Sequence, residues 1–214
     1  MIIDPNKFKI TSPTLISFEG GNAVGKSTLI KAVADFLLKQ GKSVVQTREP
    51  GGTDLGVKIR QIVKEGSELN IAPLAELFLF AADRAQHVNT LIKPSIEKGS
   101  YVLTDRYYHS TLAFQGAGRK IDSSVVKASI DFAISGVKPG LVVLIDLPIE
   151  ESAKRANKRQ DLESDRFENE NSDFQNKIRQ SFLDLAAKST QSWIVLDGMK
   201  SKEELSDSVI KLFA

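Results

Sequence analysis

The sequence predicts a three-layer α/β protein, in which a parallel β-sheet carries helices on both faces. Short apolar runs alternate along the chain with longer segments that have helical spacing. Such alternation implies right-handed crossovers between parallel strands. The 214 residues are enough for one domain with a sizeable buried core.

Five apolar runs are predicted to form the strands of this sheet. Most are nearly continuous in apolar residues, as expected of strands that are covered on both faces. The runs are Thr14–Glu19, Ser43–Arg48, Tyr101–Thr104, Leu141–Asp146 and Ser192–Asp197. A helix is predicted over Lys26–Gln40, with Gly41 as its C-cap. Because ligands of such sheets bind beyond the carboxyl ends of the strands, the residues that follow each run are the site candidates.

The composition limits the kind of partner that the chain can bind. A net charge of +2, from 29 basic and 27 acidic residues, argues against nucleic acid as a partner. The absence of cysteine excludes disulfides and cysteine-type zinc sites. No apolar run approaches the roughly 20 residues that a membrane helix needs, and Met1–Pro13 has no signal-peptide core. We therefore expect a cytoplasmic protein that binds neither nucleic acid nor membranes.

A phosphate-binding loop follows the first predicted strand and leads into the first predicted helix. It matches the pattern G-x-x-x-x-G-K-[ST] and consists of Gly20, Gly21, Asn22, Ala23, Val24, Gly25, Lys26, Ser27 and Thr28. Its glycines let backbone N–H groups converge on phosphate oxygens, and the helix N-terminus adds partial positive charge. Lys26 is expected to reach the β- and γ-phosphates of ATP, and Ser27 to bind Mg²⁺. The loop predicts nucleotide binding but does not specify the reaction.

Three classes of protein use such a loop: small-molecule kinases, GTPase-type switches, and ATP-driven motors or regulators. A GTPase is expected to carry N-K-x-D for guanine, but the nearest string, Asn157–Asp161, has one residue too many. A kinase needs a second anion site that faces the first, with cations around the transferred group. Arginines after several predicted elements favour the kinase class.

Four further motifs follow the loop in order along the chain: Thr47–Thr53, Leu79–His87, Asp105–Gly116 and Asp165–Glu168. Together with the loop, they resemble the bacterial-type thymidylate kinases. This resemblance implies ATP and dTMP as substrates, the strand order 2-3-1-4-5, and a homodimer packed through helices. It leaves residues 1–13 as an extension without an assigned function, before a single kinase domain at residues 14–214.

The resemblance assigns three side chains to acceptor binding. Arg48 is implied to contact the phosphate and sugar of dTMP. Phe80 is implied to stack on thymine, with core packing as its alternative. Arg84, four residues further along the same helix face, is implied to donate to the thymine O4 carbonyl.

Further acceptor contacts are implied later in the chain. Thr111 and Gln115 lie one helical turn apart and are implied to face the base edge, where a glutamine can both donate and accept. Phe167 is implied to approach the 2′ side of the sugar. Both histidines, His87 and His109, are expected to be structural because phosphoryl transfer needs positioning and charge more than a strong base.

The catalytic set combines Lys26 with the Asp-Arg pair after the third strand. Arg106 is implied to contact phosphates between donor and acceptor. Asp105 is implied to orient Arg106 or to act in the magnesium shell beside Ser27. A structural ion pair is the alternative for Asp105 and Arg106.

A basic segment, Lys154–Arg159, follows the fourth strand, and a solvated helix face is its ordinary interpretation. The resemblance places a mobile lid here, at about residues 150–170. The phosphate loop has no basic residue before Lys26, so the chain resembles relatives that keep the catalytic arginine in the lid. Arg159 is the first candidate and Arg155 the second, because a closing lid can complete the site.

Asn22 departs from the family pattern, since many relatives have an acidic residue there. The loss of the carboxylate argues against a role of this position in magnesium binding, but the amide of Asn22 can still hydrogen-bond a sugar hydroxyl or Arg106. The alternative functions are a kinase for another nucleotide or nucleoside, such as dUMP, and a nucleotide-binding regulator with a degenerate second site.

Overall fold

A five-stranded parallel sheet forms the centre of the computed structural model, which describes residues 1–5, 7–64, 69–158, 167 and 170–213. The strands are β1 (Leu15–Glu19), β2 (Val44–Arg48), β3 (Tyr101–Asp105), β4 (Leu141–Asp146) and β5 (Trp193–Asp197). Their spatial order is β2-β3-β1-β4-β5, with helices on both faces of the sheet. The predicted fold class and strand order are confirmed, and the predicted strand bounds agree within one residue.

Each strand is followed by one to three helices within the described residues. They are α1 (Lys26–Lys39), α2 (Asp54–Lys64), α3 (Pro73–His87), α4 (Lys93–Glu97), α5 (Tyr108–Thr111), α6 (Ser123–Ile134), α7 (Ile149–Asn157), α8 (Ser172–Lys188) and α9 (Lys202–Ile210). Two π-helical segments, Val88–Ile92 and Leu112–Gly118, continue α3 and α5. In the part of the chain that the structure describes, no helix is long and apolar enough to cross a membrane.

The core is built on both faces of the sheet because successive side chains of a strand point to opposite sides. On β1, Ile16 and Phe18 pack in one cluster with residues of α1 and α9. Leu15 points to the other face and packs with residues of α3 and α6. All five residues of β1 are buried, which explains its apolar sequence and holds the following loop at a rigid strand end.

The first residues of the chain pack on the far edge of the sheet. Ile2 bridges to Trp193 of β5, and Ile10 bridges to Phe213 near the C-terminus. Ile3 and Ile10 are each 7% exposed and join the same core cluster as α1 and α9. The segment that the sequence left without a function therefore contributes apolar contacts to the core.

Candidate active site

A cavity of about 500 Å³ opens at the carboxyl ends of β1, β2 and β3. It brings the phosphate loop together with most of the acceptor and catalytic side chains predicted from the sequence. These are Arg48, Phe80, Arg84, Asp105, Arg106, Thr111, Gln115 and Phe167. The ligand site is therefore one continuous space that extends from the loop to the helices beside it.

The phosphate loop is held in its curved path by close backbone contacts. Gly20 has a φ of +129°, and a Cβ atom there would lie 2.5 Å from the carbonyl oxygen of Ile145. Only glycine fits this conformation and spacing. Lys26 is 6% exposed, and its Nζ donates to the carbonyl oxygen of Gly21 at 2.7 Å. The ammonium group thus lies against the loop itself, where phosphate oxygens would bind.

Asp105, at the end of β3, faces the start of α1. Its Oδ2 accepts a hydrogen bond from Ser27 Oγ at 3.3 Å, and its Oδ1 lies 3.8 Å from Lys26 Nζ. Oδ1 is also a buried atom without a hydrogen-bond partner among the described residues. Hydroxyl and carboxylate oxygens are ligands that Mg²⁺ prefers, so the pair fits a magnesium ion that is shared with nucleotide phosphates.

Arg106 is anchored to the phosphate loop. Its Nη2 donates to Asn22 Oδ1 at 2.6 Å, and its Nη1 donates to the carbonyl oxygen of Gly20 at 2.9 Å and to Ser110 Oγ at 3.1 Å. Sequence analysis left two possible partners for Asn22, a sugar hydroxyl or Arg106. In the structure, Asn22 is hydrogen-bonded to Arg106. Since Asp105 contacts Ser27 instead, Asn22 rather than Asp105 orients this guanidinium.

A buried polar network supports Arg84 at the acceptor end of the cavity. Arg84 Nε donates to Glu49 Oε2 at 2.8 Å, and Arg84 Nη1 donates to Thr111 Oγ1 at 3.0 Å. The other oxygen of Glu49 lies 3.0 Å from His87 Nδ1, and His87 Nε2 lies 2.7 Å from Thr47 Oγ1. His87 thus lies behind the site, in agreement with the structural role expected of it.

Asp83 lies next to this network and is completely buried. Burial, reinforced by the negative charge of Glu49, raises the pKa of the Asp83 carboxyl from 3.8 to about 6. Its Oδ1 accepts a hydrogen bond from the backbone N–H of Gly51 at 3.1 Å, which ties α3 to the turn after β2. The charged form of Asp83 is therefore costly at neutral pH.

Part of the cavity wall is aromatic. Phe167 is 6% exposed, and its ring centre lies 6.2 Å from that of Phe80 and 5.5 Å from that of Phe114. The ring of Phe114 also lies under the guanidinium of Arg106, at 4.9 Å. These rings pack on one another and give the cavity an apolar, aromatic surface against which a planar base can stack.

Sequence reasoning missed a second buried network around Glu76. Glu76 Oε1 accepts a hydrogen bond from Gln115 Nε2 at 2.7 Å, and Arg119 lies 3.4 Å from both oxygens of Glu76. Spacing could have indicated Glu76, which lies four residues before Phe80 and eight before Arg84 and hence on the same helix face.

The predicted lid residues are only partly brought to the site. Arg155 donates to the carbonyl oxygen of Gly198 at 3.0 Å and contacts Glu151, and it does not line the cavity. Ser152 Oγ donates to the carbonyl oxygen of Asn22 at 2.7 Å, which fixes the start of α7 to the phosphate loop. Arg159, the preferred catalytic arginine, lies outside the described residues.

A phosphate-binding loop, the Ser27–Asp105 pair beside it and a pocket with cationic and aromatic side chains are features of the P-loop nucleotide kinases. Comparison with known proteins identifies the family. The thymidylate kinase family model matches residues 18–209, and the chain belongs to this family.

Individual relatives agree with this assignment. The chain is 41% identical to the thymidylate kinase of Clavibacter michiganensis subsp. michiganensis (strain NCPPB 382), over 91% of both chains. It is 44% identical to the thymidylate kinase of Carboxydothermus hydrogenoformans (strain ATCC BAA-161 / DSM 6008 / Z-2901), over 89% of this chain and 91% of the relative. The resemblance stated from the motifs is thereby confirmed.

Proposed function

We propose that the protein transfers the γ-phosphate of ATP to dTMP, which gives ADP and dTDP. The observation that supports this most directly is a hydrogen-bond donor and an acceptor that face one cavity with the phosphate loop. The donor is the Nη2 group of Arg84, and the acceptor is Oε1 of Gln115. Both residues line the cavity.

The orientation of both side chains follows from their buried partners. Arg84 uses Nε on Glu49 and Nη1 on Thr111, which leaves Nη2 for a ligand. Gln115 uses Nε2 on Glu76, which leaves Oε1. No hydrogen bond joins Arg84 Nη2 or Gln115 Oε1 to another described residue, and neither atom is among the buried polar atoms that lack a partner. Both atoms are therefore accessible from the cavity that their residues line. A base that offers a carbonyl oxygen beside a ring N–H is complementary to this pair, and thymine has that edge.

The transfer itself would depend on Lys26 and Arg106. Lys26, whose ammonium group lies against the loop, would bind the β- and γ-phosphates. Arg106, whose guanidinium donates to the loop, would reach the acceptor phosphate. Arg48 is exposed, lines the cavity, and makes no ion pair with other described residues, so its guanidinium is available to the acceptor phosphate. Phosphoryl transfer is accelerated mainly by such positioning and by cations around the moving group.

Ser27 and Asp105 would hold Mg²⁺ together with the nucleotide phosphates. The unpartnered Oδ1 of Asp105 supports this assignment. The ion would neutralise charge that develops on the phosphate oxygens. No cluster of three or more acidic or histidine side chains that could bind a metal occurs in the described ranges, which fits an ion bound mostly by phosphates and water.

The test is ADP release with a panel of monophosphates under saturating ATP and Mg²⁺. We expect the highest kcat/KM with dTMP. Faster turnover with AMP, UMP or GMP would exclude the proposal. A preference for dUMP or a deoxynucleoside would support a kinase for another acceptor, and ATP binding without turnover would support the regulator.

We also propose a homodimer that forms through α2, α3 and α6. Helix α3 packs against both other helices, and the three together expose large apolar side chains. These are Leu55, Val57, Ile62, Leu74, Phe78, Val125 and Phe132. Exposed apolar surface of this kind marks an interaction site. Light scattering should give a dimer for the natural chain and a monomer for Phe132→Glu, since Phe132 is 85% exposed.

The expected cytoplasmic location stays a prediction.

A further inference from the structure

A buried carboxylate lies directly behind the acceptor end of the cavity. Glu76 on α3 is 1% exposed and does not line the cavity itself. Its Oε1 receives the Nε2 hydrogen bond of Gln115, which does line the cavity. Burying a charge is costly unless it is paired and hydrogen-bonded, so the contacts of Glu76 indicate what its charge does.

The charge of Glu76 determines which end of the Gln115 amide faces the ligand. An ionised carboxylate can only accept hydrogen bonds, whereas an amide has one end that donates and one that accepts. The end of Gln115 in contact with Glu76 must therefore be the nitrogen, and the oxygen faces the cavity. With a neutral amide in place of Glu76, either orientation of Gln115 would find a hydrogen-bond partner.

Arg119 keeps Glu76 in place. Its guanidinium lies 3.4 Å from both Glu76 oxygens, and its Nη1 lies 2.5 Å from Glu170 Oε1. The same group stacks over the rings of Phe174 at 4.8 Å and Phe167 at 5.5 Å. Because the guanidinium is held between two carboxylates and two rings, the carboxylate of Glu76 has a fixed, charged partner.

We propose that Glu76 is a specificity-determining positioning residue that acts through Gln115. It holds Gln115 Oε1 toward the base, so that the site accepts a base with a ring N–H and rejects one with a ring-nitrogen lone pair at that point. Thymine has the N–H, and cytosine has the lone pair beside an amino group. The proposal rests on the proposed function, since it assumes that the base lies against Gln115.

The test compares dTMP and dCMP on the natural enzyme and on Glu76→Gln. Binding is measured by calorimetry and turnover by ADP release. We expect the preference for dTMP over dCMP to fall at least about tenfold, because unpaired or mismatched polar groups at a binding site govern such discrimination. The change should appear in the affinity for the acceptor, while the KM for ATP stays within about twofold. Glu76→Asp keeps the charge but moves it away from Gln115 Nε2, so it should also lower the preference for dTMP over dCMP. This variant tests the proposal if Glu76→Gln does not fold.

Two comparisons separate positioning from loss of stability. Asp146→Asn removes a carboxylate that also pairs with an arginine, Arg179, at 2.6 Å, but Asp146 does not line the main cavity. Asp146→Asn should lower the melting temperature without changing the preference for dTMP over dCMP. In a Gln115→Leu background, Glu76→Gln should change the preference no further, since its effect passes through Gln115.

The proposal would be overturned if both Glu76 variants kept the natural preference for dTMP over dCMP. It would also be overturned if Glu76→Gln changed this preference as much in the Gln115→Leu background as in the natural enzyme. A natural enzyme that does not prefer dTMP would overturn the proposed function instead. That result comes from the natural enzyme alone, whereas the role of Glu76 is determined from the change between the natural enzyme and the variants.

Discussion

Arg84 and Glu49 form an ion pair in the interior of the protein, with Arg84 Nε 2.8 Å from Glu49 Oε2 and both side chains 2% exposed. Removing one partner of a buried pair leaves an uncompensated charge, which costs about 3–5 kcal/mol of unfolding free energy. Truncation of Arg84 would therefore change the stability of the protein as well as its affinity for the acceptor.

For this reason Arg84→Lys is the more informative variant for acceptor binding. Lysine keeps a positive charge near Glu49 but cannot reach Thr111 and the ligand at once, since it lacks the planar fork. We expect the KM for dTMP to rise by about tenfold or more and the KM for ATP to stay nearly constant. Arg84→Ala should show the same selectivity with a lower melting temperature. Equal changes in both Michaelis constants would indicate a purely structural role.

Lys26→Ala is expected to abolish turnover while the fold remains intact. Lys26 is the only cation in the phosphate loop, and its ammonium group contacts the loop backbone at 2.7 Å. Circular dichroism would verify folding. Lys31→Ala is a matched control on the same helix, since Lys31 is exposed and pairs only with Asp35 among the described residues. Activity within about tenfold of the natural enzyme, or about 1.4 kcal/mol of barrier, would contradict the role of Lys26.

Arg159→Ala is expected to lower kcat by at least about a hundredfold with little change in dTMP affinity, because arginines that reach the transferred phosphate contribute large factors in related reactions. Arg155→Ala is the matched control from the same basic segment. Its guanidinium contacts Gly198 and Glu151 rather than the cavity, so its kcat should change far less. An unchanged kcat with a raised KM for ATP in Arg159→Ala would make this segment a docking surface for ATP.

Asp83→Asn should alter the pH dependence of stability. The folded pKa of Asp83 is about 6, above the ordinary value of 3.8, so Asp83 stabilises the fold below about pH 4 and this contribution is lost as the pH rises through 6. Because asparagine does not titrate, the unfolding free energy of the variant relative to the natural protein should rise by about 2–3 kcal/mol between pH 4 and pH 7. Urea unfolding at several pH values measures this difference.

A control for this pH experiment is Asp122→Asn. Hydrogen bonds from Ser124 lower the pKa of Asp122, so Asp122 contributes stability that is lost as the pH falls. The variant should therefore become less stable relative to the natural protein as the pH rises, which is opposite in sign to the result expected for Asp83→Asn. The same sign in both variants would show that the Asp83 effect does not come from its own titration.

Local pattern was sufficient to predict the five strands, helix α1 and the phosphate loop, because these depend on neighbours in sequence. The strand runs and the spacing of residues 20–28 are of this kind. The spacing of four between Phe80 and Arg84 also indicated a shared face, and both residues line the cavity. The strand order and the acceptor roles came from the family resemblance instead.

Contacts between distant parts of the chain could not be predicted in the same way. Asn22 and Arg106 are 84 residues apart, and Glu76 and Gln115 are 39 apart. Helical spacing tells which face a residue is on, but not which side chain of another element meets it. The π-helical segment Leu112–Gly118 is a further example, since the four-residue spacing of Thr111 and Gln115 does not distinguish a π-helix from an α-helix.

The contact of the first residues with β5 has a consequence for self-association. A strand at the border of a sheet presents unpaired backbone groups that can recruit another chain. Here the backbone N–H of Ile3 donates to the carbonyl oxygen of Trp193 at 2.7 Å, and the N–H of Trp193 donates to the carbonyl oxygen of Met1 at 2.9 Å. The first residues of the chain therefore occupy backbone groups at the border of the sheet through which two copies could otherwise join, so we expect removal of this segment to favour edge-to-edge association.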